Sequence, residues 1–243
     1  MVFRFKQRKA YVEQLKNHRT SLIVLHFYSY APRTMDKNHS AHTLVEKQFA
    51  KGKDKYALCE LGKQLFIAAG YSDVGMDHFA LTGDSLLASK QNGTLHRNFM
   101  GYTTSNTEVL IGLGVSAISD VFYGFRQNYK TVEEYYEALG KNELPVHRGI
   151  NVSDEDILYR KHILNIACKG KTNWKNEIIL SAFMINQLND LQNDGLIEWE
   201  NNSLSVTALG WSFLRNICAV FDKRMNEDKL IPQHNTPKFS QAV

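Results

Sequence analysis

The chain has 243 residues, 43% of them hydrophobic and 22% charged, which is the make-up of a globular protein with one large core or two small ones. Its 29 Lys and Arg exceed its 25 Asp and Glu by four, a mild basic bias that fits an anionic ligand but mostly describes a solvated surface. No apolar run approaches the roughly 20 residues of a membrane span, the charged N-terminus is unlike a secretory signal, and Cys59, Cys168 and Cys218 form no CxxC cluster; buried reduced thiols and a cytoplasmic location are the expectation.

In chain order, residues 3–18 predict an amphipathic helix with Phe3, Phe5, Tyr11 and Leu15 on one side. Residues 21–30 are a nearly continuous apolar run, expected to be a strand buried on both faces of a parallel sheet. Residues 32–53 read as a long polar loop carrying His39 and His42, a pair without further metal-ligating partners. A helix over 55–69 closes on Gly70, and residues 71–76 predict the next strand. Strand, loop, helix, strand predicts a βαβ unit, whose ligand groups lie past the carboxyl ends of the strands. Asp77-His78 would then stand at such an end, with His78 either functional or a hydrogen-bonded structural residue.

A short helix is expected over 84–91, a strand over 109–115 whose Gly112 and Gly114 permit close backbone approach, and a helix over 131–139 ended by Gly140. Pro145 opens a linker, with the domain boundary placed at 148/149. Beyond it, Ser153 caps a helix to about Cys168, a second helix covers 176–193, and Asn201-Asn202 joins two strands in a hairpin. A last helix runs to about Lys223, giving a winged-helix-like module over 149–226 and a tail over 227–243 expected to be disordered. That module lacks the basic excess of a DNA reader, which argues against a nucleic-acid partner.

Residue types alone mark a polar strand-end site. His96-Arg97 is its most telling pair, because the guanidinium fork suits carboxylates and phosphates. Gly112-Leu113-Gly114 lacks the third glycine and following helix of a dinucleotide loop, no nucleophile elbow is present, and no carboxylate pair is evident.

Three strings carry more: Gly75-Met76-Asp77-His78-Phe79-Ala80, Leu95-His96-Arg97-Asn98-Phe99-Met100-Gly101-Tyr102-Thr103, and Ile111-Gly112-Leu113-Gly114-Val115-Ser116-Ala117-Ile118-Ser119. With Gln127-Asn128, His147-Arg148-Gly149 and Arg215-Asn216-Ile217-Cys218, they resemble the oxygen-independent coproporphyrinogen III oxidases. The resemblance implies a radical S-adenosylmethionine enzyme of α/β class, with a partial (β/α) barrel over 1–148 and the helical, winged-helix-like domain after it. It implies a [4Fe-4S] cluster, an electron donor, S-adenosylmethionine, and a radical that takes hydrogen from two propionates of coproporphyrinogen III. Decarboxylation to protoporphyrinogen IX would serve haem synthesis.

By the same resemblance Ala31 and Ile118 match positions that contact S-adenosylmethionine, and His96, Arg97 and Tyr102 are candidate substrate-binding residues. Met100 stands where some relatives have Gln, and Pro32 replaces the His usual after Ala31. The family's CxxxCxxC and glycine-rich segments lie upstream of every matched residue. The chain is therefore expected to be a C-terminal portion that holds no catalytic or metal residue, needs the other half as partner, and is inactive alone. A porphyrin-binding chaperone is the alternative.

Overall fold

The computed structural model describes residues 21–24, 52–175 and 177–230; the expectations for residues 1–20, 25–51 and 231–243, including Ala31, Pro32 and the His39/His42 pair, lie outside the described residues. The described part is a mixed α/β structure. Strand β1 (Leu22–Val24) is followed by helix α1 (Gly52–Ala68), strands β2 (Tyr71–Gly75) and β3 (His78–Leu81), and helix α2 (Ser85–Gln91).

These three strands form one sheet in the order β1-β3-β2, with both pairs antiparallel. This corrects the parallel βαβ unit: β1 and β2 are separated by β3, and no parallel pair occurs among the described residues. Apolar runs report burial on both faces rather than strand direction, and both faces are covered here. Phe79 packs with Phe66, Ala69 and Tyr71 beneath α1, while Val74 and Ala80 join Leu86 and Leu87 of α2 on the other face.

Asp77 correspondingly sits in the hairpin turn between β2 and β3, not at the open end of a parallel strand. Met76 and Asp77 both take positive φ (35° and 71°), the backbone of a two-residue turn matched to strand twist. The turn is fixed by His78 Nδ1, 2.9 Å from the Met76 carbonyl oxygen, and by an Asp77–Arg215 ion pair at 3.1 Å.

The hairpin β4 (His96–Asn98) and β5 (Gly101–Thr103) comes next. A second three-stranded antiparallel sheet follows, β6 (Ile118–Asp120), β7 (Gly124–Asn128) and β8 (Val146–Asn151), with helix α3 (Val132–Gly140) between β7 and β8. The strand expected over 109–115 is absent: only Leu110 bridges, to Asp120, and the rest is loop. Of the two glycines that suggested close approach, Gly112 provides it, but within a loop, and Gly114 has nothing within 4 Å of where a Cβ would stand. A Cβ on Gly112 would stand 2.6 Å from the Ile118 carbonyl oxygen, so only glycine lets this loop lie against β6.

After β8 the chain forms α4 (Asp154–Lys169), β9 (Lys171–Asn173), α5 (Ala182–Asn193), the hairpin β10 (Ile197–Glu200) and β11 (Ser203–Val206), a 3-10 turn (Gly210–Phe213), α6 (Leu214–Val220) and α7 (Lys223–Leu230). Ser153 caps α4 with a reciprocal Asp156 bond, and Asn201 turns the hairpin at φ 53°. The helix expected from residue 176 begins later, at Ala182, where the Ser181 side chain caps it by accepting from Met184 N at 3.2 Å. Position 148/149 falls within β8, which pairs to β7 on both sides of that position, with a register shift at His147. One buried cluster runs from Val74 and Tyr102 through Ile166, Trp174 and Leu188 to Phe221.

Candidate functional site

The β4–β5 hairpin carries the central motif. Its register pairs His96 with Thr103, Arg97 with Tyr102 and Asn98 with Gly101. The Asn98 side chain accepts from Met100 N at 2.9 Å and closes the turn, leaving Phe99 and Met100 exposed. Cross-strand partners share a face, so Arg97 and Tyr102 lie together. Tyr102 is buried and donates its hydroxyl to the Ala167 carbonyl at 2.7 Å, tying the hairpin to α4; burial drives its pKa far up. The Arg97 guanidinium lies 4.8 Å over the Tyr102 ring, with Nη1 buried and without a hydrogen-bond partner among the described residues.

His96 faces the other way. Burial and the charge of Arg160 lower its pKa, with Asp120 pulling in the opposite direction, so it stands as neutral imidazole at pH 7. The string His96 to Tyr102 is thus divided between two faces of one hairpin. Arg97 and Tyr102 turn to the helices, and His96 turns to the second sheet.

Ile118 lies on β6, partly buried, opposite Gln127. The loop before it is strapped in place. Ser119 Oγ accepts from Gly112 N at 3.0 Å, the Tyr135 hydroxyl accepts from Gly114 N at 3.1 Å, and Asn128 Nδ2 donates to the Gly112 and Gly114 carbonyls at 3.2 and 2.8 Å. Gly114 takes φ 94°, which favours glycine. Between these tethers Ile111 and Leu113 stand 68% and 84% exposed. Apolar side chains held rigidly in solvent are the signature of a binding surface rather than of a loose loop.

The residue reading missed Asp120 and Arg160. Both guanidinium Nη atoms of Arg160 donate to the Asp120 carboxylate, and the same guanidinium lies 5.3 Å over the Phe125 ring. The pair joins β6 to α4 across 40 positions of sequence, a separation that leaves no local signal. Gln127-Asn128 and His147-Arg148-Gly149, noted only as strings, turn out to be the strap and neighbouring strands of the Ile118 sheet.

Two of the three thiols are buried and the third is half-buried. Burial pushes Cys168 and Cys59 up to about 11 and Cys218 up to about 12, so all three are protonated at neutral pH. Among the described residues no three His, Cys, Asp or Glu side chains converge to hold a metal ion. No described helix is long and apolar enough to cross a membrane.

No family model matches the chain. It is, however, 33% identical over 184 residues to the oxygen-independent coproporphyrinogen III oxidase of Pseudomonas aeruginosa, covering 72% of this chain and 39% of that protein. The enzymes of the same name from Escherichia coli and Thermostichus vulcanus are 32% and 35% identical over 183 residues, with 39% and 54% of their lengths covered. A solved structure of the Escherichia coli coproporphyrinogen III oxidase, described as a radical SAM enzyme, superposes with a TM-score of 0.66 at 30% identity over 74% of this chain and 43% of that one. The chain spans about two fifths of the length of the first of these relatives. The chain thus resembles the oxygen-independent coproporphyrinogen III oxidases over 72% of its length.

Proposed function

We propose that this chain forms part of the substrate and cofactor wall of an oxygen-independent coproporphyrinogen III oxidase, acting in the oxidative decarboxylation that yields protoporphyrinogen IX for haem synthesis. The similarity to enzymes of that name, over 72% of the chain, carries the reading. It is supported by a β4–β5 hairpin and a glycine loop that are both anchored by side-chain hydrogen bonds and both present apolar groups to solvent. The order helix, strand, helix, hairpin from α4 to β11, with β9 paired to β11, supports a winged-helix-like module.

The family's [4Fe-4S] cluster and S-adenosylmethionine would supply the radical chemistry. The described residues do not fit the cluster, since their thiols are held protonated and no ligand set converges. What this chain does is bind and orient, through the exposed Ile111 and Leu113 of the tethered glycine loop and the exposed Met100 of the hairpin turn.

Anaerobic assay of the chain together with a family segment that carries CxxxCxxC tests the reading. Coproporphyrinogen III should be converted only when both are present. Conversion by the CxxxCxxC segment at the same rate without this chain would overturn the assignment. Stoichiometric haemin binding without turnover in the combined protein would favour the chaperone instead.

A further inference from the structure

The sheet β6-β7-β8 contributes no side chain to either buried apolar cluster. On one of its faces, cross-strand pairing sets Ile118, Gln127 and Arg148 in a row, with Asp120, Phe125 and Ile150 in the row beside it. Arg160 covers the Asp120 and Phe125 end of this face, while Ile150 is exposed and Ile118 half-buried beside Gln127 and Arg148, which leaves apolar surface next to polar groups.

Most arginines of the described residues are already engaged. Arg160 holds Asp120, Arg215 holds Asp77 and Arg224 holds Asp156. Arg126, on the opposite face, lies across Gly149 and spends Nη1 on the Phe125 and Ile150 carbonyls and Nη2 on Asn151 Oδ1. Arg148 differs from all of them. Its Nε donates to Gln127 Oε1 at 2.8 Å, and Gln127 is itself fixed from behind by Nε2 donating to the Ser116 carbonyl at 3.3 Å. Exposed and meeting no carboxylate among the described residues, its guanidinium keeps both Nη groups as a free fork.

We propose that Arg148, positioned by Gln127, binds a carboxylate of a tetrapyrrole that lies over the Ile118–Ile150 face. This deepens the function proposed above and rests on it. An oriented guanidinium fork matches a carboxylate bidentately, and a ring with propionate arms offers the apolar plane and the acid together. Ser116 closes the glycine loop, so one amide side chain couples the loop's end to the orientation of the fork.

Fluorescence titration of the full chain with coproporphyrin III, and with its uncharged tetramethyl ester, provides the test. R148Q should weaken coproporphyrin III binding about tenfold, the scale of one charge-assisted pair, and leave the ester unchanged. R148K, which keeps the charge but loses the Nε anchor and the fork, should recover only part of the loss. Q127A should weaken coproporphyrin III binding while sparing the ester, which a purely structural role would not do. Equal binding of coproporphyrin III by wild type and R148Q overturns the assignment of Arg148 while leaving the proposed function standing. Equal losses for both ligands also overturn it, in favour of a folding role. A wild-type chain that binds neither ligand overturns both proposals.

Discussion

Two side chains show how much a single position decides. Asp120 is almost fully buried, accepts from both Nη groups of Arg160 and also takes the Phe122 backbone N–H at 3.3 Å. Replacing it by alanine strands a half-buried guanidinium beside Phe125. Allowing for the solvent that reaches Arg160, D120A should cost about 2 kcal/mol, read as a lower urea midpoint at unchanged slope. A midpoint within error of wild type would show that the pair is solvated. Gly112 is decisive for a different reason, since a methyl group there meets the Ile118 carbonyl oxygen, carbon and nitrogen within 3 Å. G112A should destabilise by about 1–3 kcal/mol and displace the loop, visible as shifted amide resonances for residues 111–119. The cysteines make the opposite case. With Cys168 and Cys218 buried and protonated, both should resist a thiol reagent in the native chain and react in denaturant; modification of both at the rate of a free thiol would refute that.

Helix α4 is the element on which the later half depends. Its N-terminus has Ser153 accepting from Asp156 N at 3.2 Å and Asp156 accepting from Ser153 N at 2.9 Å, while Arg224 of α7 clamps the same carboxylate. S153A should cost about 1 kcal/mol, checked by thermal unfolding, and a neutral result would mean the Arg224 clamp suffices alone. This helix was legible because capping is local: Ser, then acids at the first turn, then an apolar period. The hairpin at Asn201 was legible for the same reason. Strand β9 was not, because three residues with one buried threonine carry no pattern of their own and become a strand only when β11 pairs with them. The loop 109–115 was misread as a strand because its alternating apolar residues mimic one, yet Ile111 and Leu113 face solvent rather than a core.

At the scale of the molecule, the main core ties the first sheet, the β4–β5 hairpin and the later helices into one buried cluster. His162 sits inside it, fully buried, with Nδ1 2.8 Å from Thr172 Oγ1 and its ring edge-on to Trp174. Glu177 Oε2 lies 3.6 Å from Nε2, and burial outweighs its pull, so the His162 pKa is lowered. His96 is lowered too, by burial and then by Arg160. A depressed histidine leaves the unfolded chain binding more protons, so stability is full above the unfolded value of 6.5 and falls as pH drops below it. Asp156 acts in the same direction at lower pH: its carboxyl is held down by Arg224, and that contribution is lost as pH falls below the ordinary value of 3.8. The urea midpoint should therefore decline from pH 7 to pH 5, more gently in H162Q, whereas a flat wild-type profile over that range would show that these rings titrate normally.

The sequence by itself determined the helices with caps, the Asn201 hairpin, the burial of Cys168 and Cys218 and, through strings in order, the likeness to the oxygen-independent coproporphyrinogen III oxidases. These depend on neighbours along the chain or on residue types alone. Only the tertiary structure decided strand direction in the first sheet, since two-sided burial looks the same in parallel and antiparallel strands. It also split His96 from Arg97 and Tyr102 across a hairpin, paired Asp120 with Arg160, and left Arg148 as an oriented cation that meets no carboxylate among the described residues. Each of those depends on which distant segments meet, because burial and charge are settled by the far side of a contact.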